Sequence, residues 1–372
     1  MLSDEFRAMP GSSGSLMLGR VLNGRGEHID GGLLEDQRKS VDINETPVNY
    51  HSHKAPSGFI QTGISAIDGL NPIVCGQRMA IFSTSGLPHN RLAAQIARQA
   101  ILNSNHKEHE KFAVVFAAIG ISFYEASSFV EDFRKTGSLD RTILYINLAD
   151  DPIAERASAP RQALATAEHL AFVHGMHVLV ILSEISPACI YTDAMYERAG
   201  RLKGKGSITQ VPIFTMPGND KANPAYDLAC YATDGQIVLS HHLHCKGIYP
   251  PVDALPSMSR LMNNRIGKEK TREDHADLIN QLFSAYVRGK EVQELTIVNG
   301  ALIEEDKIFA AFSDAFEDRY VRQSEYENRT LEGTLETGWD ILTMLPIKEL
   351  NRIRDAYIER YLKPRMGDLP LT

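Results

Sequence analysis

An alternation of apolar strands with amphipathic helices constrains this chain more than any other feature. "MAIFS" precedes "RLAAQIARQAIL", "FAVVFAAIG" precedes "FYEASSFVEDFRKTG", "TILYINLA" precedes "PRQALATAEHLAFVHG", and "HVLVIL" closes the series. Strands that are apolar on both faces belong in a parallel sheet covered by helices on both sides. "SITQVPIFTMP" and "GQIVLS" extend that sheet. After about Thr271 the strand signal gives way to helical periodicity in "HADLINQLFSAYVRGKEVQEL", "IEEDKIFAAFSDAFEDRYV", "TLEGTLETGWDILTMLP" and "IKELNRIRDAYIERYL". Leu278, Leu282, Phe283 and Tyr286 recur at the three- and four-residue spacing that gives a helix one buried face. The fold class is α/β with a mostly parallel sheet over residues 56–270, followed by an α-helical domain over 271–372. Residues 1–55 are rich in Gly, Ser, Asp and Asn around the short apolar piece "LMLGRVLN", too little for a domain of their own.

The length of 372 residues suits two or three domains. A net charge of −8 argues against a nucleic-acid-coating surface, which needs a concentrated positive face. Cys75, Cys189, Cys230 and Cys245 lack paired spacing, which predicts free thiols in a reducing compartment. The longest apolar runs fall well short of the roughly 18 residues that span a bilayer. The first residues, "MLSDEFRAMPGSSGS", lack the apolar core of a secretory signal. Membrane attachment is therefore expected only through partners.

The turn after "MAIFS" sits where nucleotide-binding proteins place a phosphate loop. The working form reads G-x-x-x-x-G-K-[ST]: glycines curl the backbone around phosphates, lysine neutralises them and a hydroxyl holds magnesium. In Ser83-Thr84-Ser85-Gly86-Leu87-Pro88-His89-Asn90, those four positions hold Ser83, Pro88, His89 and Asn90. Histidine replaces a permanent ammonium, and Pro88 removes a backbone donor. A strand-to-helix bend without catalysis is the favoured reading.

Four other stretches stand where a site could be. At the end of "AAIGIS", where a carboxylate would align an attacking water, Gly120 is followed by Ile121 and Ser122, so no base is offered. Glu184, after "HVLVILS", stands near the position of a magnesium-organising acid, or is a helix-start or surface residue. In "GIYPPVDALPSMSRL", Arg260 follows Ser257 and Ser259. Its planar fork suits phosphate oxygens, while pairing with Asp253 or another carboxylate is the alternative. His241, His242, His244 and Cys245 in "HHLHC" have zinc-ligand chemistry but are too crowded to converge on one ion, so no metal site is expected. If extended, the segment would place His242 and His244 on one face.

Taken together, "MLGRVLNGRGEHIDGG", "FIQTGISAIDGLNPIVCGQRMAIFSTSGLPHN", "FAVVFAAIGISFYEASSFVEDFRKTGSLDRTILYINLADDP", "ERAGRLKGKGSITQVPIFTMP", "GIYPPVDALPSMSRL" and "TREDHADLINQLFSAY" resemble the B-type, non-catalytic subunit of the V/A-type rotary ATPases, from about Leu16 to Pro364. The resemblance implies a RecA-like nucleotide-binding domain with a degenerate phosphate loop, followed by the C-terminal helical domain. It implies a regulatory subunit, not an enzyme by itself, that alternates with the catalytic A subunit in a hexamer and meets central-stalk and peripheral-stalk subunits. Arg260 matches the arginine of the family's "LPS-x-SRL" motif and, beside Ser259, would stabilise phosphate charge in trans. ATP or ADP would lie at the interface between the two, with magnesium held mainly by the partner. Such a head lies in the cytoplasm, peripheral to a membrane, and couples ATP hydrolysis or synthesis to proton or sodium transport.

The sequence departs from that family in two places. Only an exit segment, Leu16 to Gly32, matches the end of the family's N-terminal β-barrel, so residues 1–55 read as a barrel remnant and linker. Between Leu182 and Glu197 the family carries a longer segment where this chain has "SEISPACIYTDAMY". Glu184 then aligns either with the acidic strand end or with a remnant of the deleted helix. A degenerate paralogue that binds without entering a rotary head is the alternative.

Overall fold

The structure is a computed structural model that describes residues 7–8, 17–31, 41–42, 53–55, 58–103, 111–184, 193–216, 229–261, 266–267, 271–299 and 304–366. Cys189 and most of 1–55 lie outside the described residues. By contacts the chain divides into one unit of Met1–Ile60 with Ile73–Gln236 and a second of Gln61–Pro72 with Ile237–Thr372. The change in composition near 270 thus does not coincide with the contact division, which groups 237–270 with the helices.

The first unit is built on a parallel sheet. Its strands are β1 (Val21–Asn23), β2 (Met79–Thr84), β3 (Phe112–Ile121), β4 (Thr142–Leu148), β5 (His177–Leu182) and β7 (Ser207–Met216), with β6 (Gly200–Leu202) antiparallel to β7. The parallel order is β2-β7-β5-β3-β4-β1. Every residue of β2 and of β5 is buried, as an apolar run covered on both faces requires. Helices α1 (His89–Gln99), α2 (Phe123–Lys135) and α3 (Ile153–Phe172) supply the crossovers. A capping box starts α2: Ser122 Oγ accepts from the Glu125 amide and the Glu125 carboxylate accepts from the Ser122 amide.

Helix α3 starts at Ile153, ahead of Pro160, where the sequence pattern places its beginning. Proline within the helix leaves the Arg156 carbonyl without the usual partner four residues on. The buried small residues Ala159, Ala163 and Ala167 let the helix lie close to its neighbours and keep packing despite that loss.

The second unit contains most of strand β8 (Gly235–Leu239), strand β9 (Val252–Ser259) and the helices α4 (His241–Cys245), α5 (His275–Asn299), α6 (Glu304–Ala315) and α7 (Leu331–Leu342). The "HHLHC" segment is thus a helical turn, not an extended strand, because Ser240 Oγ caps it by accepting from the Leu243 amide. On α5 the buried stripe is Leu278, Ile279, Leu282, Ala285 and Tyr286, whereas Phe283 is 37% exposed. Phe283 falls one position off the stripe, so its apolar character is a false sign of core. The segment expected as one helix from Ile347 is broken between Leu350 and Arg354, where Leu350 leaves helical geometry. Trp339 on α7 donates to Asp274, which Arg272 also grips, and so fixes the first turn of α5.

Two buried titratable groups in this unit pull stability in opposite directions. Burial pushes the Asp68 carboxyl up to about 7, against hydrogen bonds donated by Thr62 and Gly63. Burial pushes His275 down to about 4, although its ring nitrogen Nε2 donates to the Gly69 carbonyl. The unfolded chain protonates this histidine near 6.5, so His275 costs stability as pH falls from 6.5 to about 4. The folded Asp68 takes its proton near 7 and the unfolded one near 3.8, so acidification over that range favours the folded state. Urea unfolding from pH 7.5 to 4.5 is expected to show Asp68→Asn losing stability relative to wild type on acidification, and His275→Gln gaining it. Each divergence reaches about 3 kcal/mol.

Candidate functional site

Parallel pairing brings the carboxyl ends of β2, β7, β5 and β3 to one edge of the first unit's sheet. Thr215 pairs in register with Ser83, and Leu182 with Ala117 and Pro212. The degenerate loop, Thr215, Glu184 and Gly120 therefore share the edge where open α/β sheets bind ligands.

The loop itself is closed. The Leu87 amide donates to the Thr84 carbonyl at 3.2 Å, and the His89 amide donates to the Leu87 carbonyl at 2.9 Å. Gly86, at φ +86°, supplies the left-handed residue that this tight turn needs. A working phosphate loop leaves its amides pointing at the ligand. Here two are spent within the loop and Pro88 has none to offer. Ser85 and Gly86 are exposed while Leu87 packs inward.

His89, in the lysine position, is 6% exposed and bracketed. Its Nδ1 lies 3.0 Å from Ser83 Oγ and its Nε2 lies 3.2 Å from Glu184 Oε1, with Thr215 Oγ1 at 3.5 Å from the same nitrogen. A carboxylate only accepts, so Nε2 carries a hydrogen; in the neutral ring Nδ1 then accepts from the Ser83 hydroxyl. Asn90, in the position of the magnesium hydroxyl, has a buried side-chain oxygen with no hydrogen-bond partner.

Glu184 lies one residue beyond β5, after Ser183, with its backbone at φ +49°, the left-handed region that costs a non-glycine residue about 1–2 kcal/mol. Its carboxylate is turned onto His89. At the end of β3, Gly120 has φ +68° and Ile121 is buried, and the nearest downstream carboxylate, Glu125, is engaged in the α2 cap. Ser259 ends β9 half-buried and Arg260 follows it, exposed; both take part in interactions within the chain. Asp253, the alternative partner for Arg260, accepts from the Leu255 amide. Sequence reasoning missed Thr215 and Arg156 at this edge. Only the strand register and the early start of α3 bring them there.

A mostly parallel sheet with helical crossovers and a phosphate-loop frame at its carboxyl edge defines the α/β nucleotide-binding class. The sequence profile of the ATP synthase alpha/beta family, nucleotide-binding domain, matches residues 63–192 and 187–259, and that of the C-terminal domain of V and A type ATP synthase matches 264–362. The chain belongs to the ATP synthase alpha/beta family and carries the C-terminal domain of its V and A types. The two matched pieces meet at 187–192, inside the shortened connection after β5. A solved structure described as a unique ATP synthase subunit, NeqB from Nanoarcheaum equitans, is similar at 34% identity and a TM-score of 0.76, covering 88% of this chain and 84% of that one. Among the described residues no helix is long and apolar enough to cross a membrane.

Restoring the lysine alone is not expected to restore hydrolysis. A His89→Lys variant should show no more phosphate release from ATP than wild type in a colorimetric assay, because the turn from Thr84 to Leu87 stays closed and no base stands at Ile121. It should also lose about 1–3 kcal/mol of stability, since Ser83 loses its ring partner and an ammonium enters a buried position.

Proposed function

We propose that this chain is the non-catalytic B-type subunit of a V/A-type rotary ATPase or ATP synthase, alternating with a catalytic A subunit around the soluble head. The observation that carries this reading is His89 in the lysine position, locked between Ser83 and Glu184 beneath a closed turn. A subunit without a working loop contributes to phosphoryl transfer only by lending groups to a site built by its neighbour. Arg260, exposed at the end of β9 beside Ser259, is the group proposed to reach that neighbour's nucleotide, where a guanidinium stabilises charge developing on the transferred phosphate. ATP or ADP would lie at that interface, with magnesium held mainly by the partner. Central-stalk and peripheral-stalk subunits would complete the coupling to proton or sodium movement, and the membrane would be met only through the complex on its cytoplasmic side.

Mass measurement of the chain co-purified with the catalytic subunit from the same source is expected to show an alternating hexamer, and the isolated chain is expected to turn over no ATP. In the hexamer, Arg260→Ala should lower ATP turnover by about a hundredfold or more while leaving assembly intact. Turnover within twofold of wild type would remove the role given to Arg260. Failure to assemble would favour the second reading, a paralogue outside any rotary head, which the short connection between β5 and β6 supports.

A further inference from the structure

The edge that holds no working lysine nevertheless holds an anion. Glu184 Oε1 stands 3.2 Å from His89 Nε2, on the side chain that occupies the phosphate-gripping position of the loop. We propose that His89 and Arg156 at this edge form a latent polyphosphate site whose ligand position is filled by the chain's own Glu184 carboxylate. The inference rests on the reading of the loop as non-hydrolytic and deepens it: phosphate is kept out by a built-in competitor as well as by missing parts.

Three observations converge on this assignment. A carboxylate and a phosphate oxygen are both anionic acceptors, so the donor that now serves Glu184 would serve phosphate equally. The Ser83 hydroxyl on Nδ1 and the Thr215 hydroxyl near Nε2 hold the ring in place whichever anion it faces. Second, Glu184 reaches the ring from a left-handed backbone at φ +49°, and it is the non-glycine residue with positive φ among the described residues. Such a conformation persists where surrounding contacts impose it.

Third, the space beside the carboxylate is furnished with cationic donors. A Cβ built on Gly120 would stand 3.6 Å from Glu184 Oε2 and 3.8 Å from the Arg156 guanidinium carbon, so both groups border the same bare backbone. Arg156 Nη2 donates to the Ala149 carbonyl, while its buried Nε has no partner. An anion that displaced Glu184 would meet the His89 donor on one side and that unused Nε–H on the other. The Glu184 side chain is 36% exposed, which gives such an anion a way in from solvent.

Isothermal titration of the full chain with tripolyphosphate and, separately, with ATP, both without magnesium, tests this. Glu184→Gln removes the charge, and Glu184→Gly removes the whole side chain and suits the backbone. Both variants are expected to bind tripolyphosphate at least about tenfold more tightly than wild type, with a matching gain for ATP. Adding His89→Ala should return either variant to the wild-type level. Thermal melting identifies the folded variants; should Glu184→Gly fail to fold, Glu184→Gln decides the matter. No gain in a folded variant, a gain confined to ATP, or a gain that survives His89→Ala would overturn the proposal. None of these outcomes bears on the B-type reading, which stands or falls on wild-type assembly and on Arg260.

Discussion

Parallel register is the constraint on which the rest of the first unit depends. Because β2, β7, β5 and β3 run in one direction and pair without slippage at their carboxyl ends, Ser83, Thr215, Glu184 and Gly120 emerge side by side although they are far apart in sequence. A one-residue slip of β7 against β2 would turn Thr215 to the opposite face from Ser83. That register rests in turn on unbroken burial along the central strands, with Phe82 stacked on Phe214 at a centroid separation of 5.5 Å across β2 and β7. The hydrophobic effect thus fixes the geometry, and the polar groups at the strand ends inherit it.

What the edge does with that geometry differs from what its frame was shaped for. A phosphate loop works by leaving amides unsatisfied until a ligand arrives, a state that is costly unless solvent or phosphate fills it. In this chain the loop satisfies its Leu87 and His89 amides through a tight turn, and the histidine satisfies both ring nitrogens within the protein. The strand-to-helix bend is thus a closed corner held by the chain's own groups, and on the function proposed above the chemistry would come from Arg260.

Much of this is legible in the sequence alone. Continuous apolar runs mark the strands, and four wrong residues at four defining positions mark the loop. Family resemblance through long ordered motifs is equally visible, and the matched family bears it out. The misses have physical causes. Phe283 looks like core because periodicity admits residues one step off the stripe, and the break after Leu350 carries no proline or glycine to mark it. Pro160 suggests a helix start because proline favours first turns, yet dense small-residue packing carries α3 through it. Above all, the sequence leaves Glu184 between two alignments, since a contact spanning 95 residues leaves no trace in local spacing.

The measurement that bears most directly on the central claim is an atomic-resolution structure of the wild-type chain at saturating ATP and magnesium. Leu87 is expected still to donate to Thr84, with the Glu184 carboxylate still on His89 and no phosphate density beside the loop. Phosphate density against His89, with the turn opened and Glu184 swung aside, would show that the wild-type loop binds nucleotide for itself and would contradict the account.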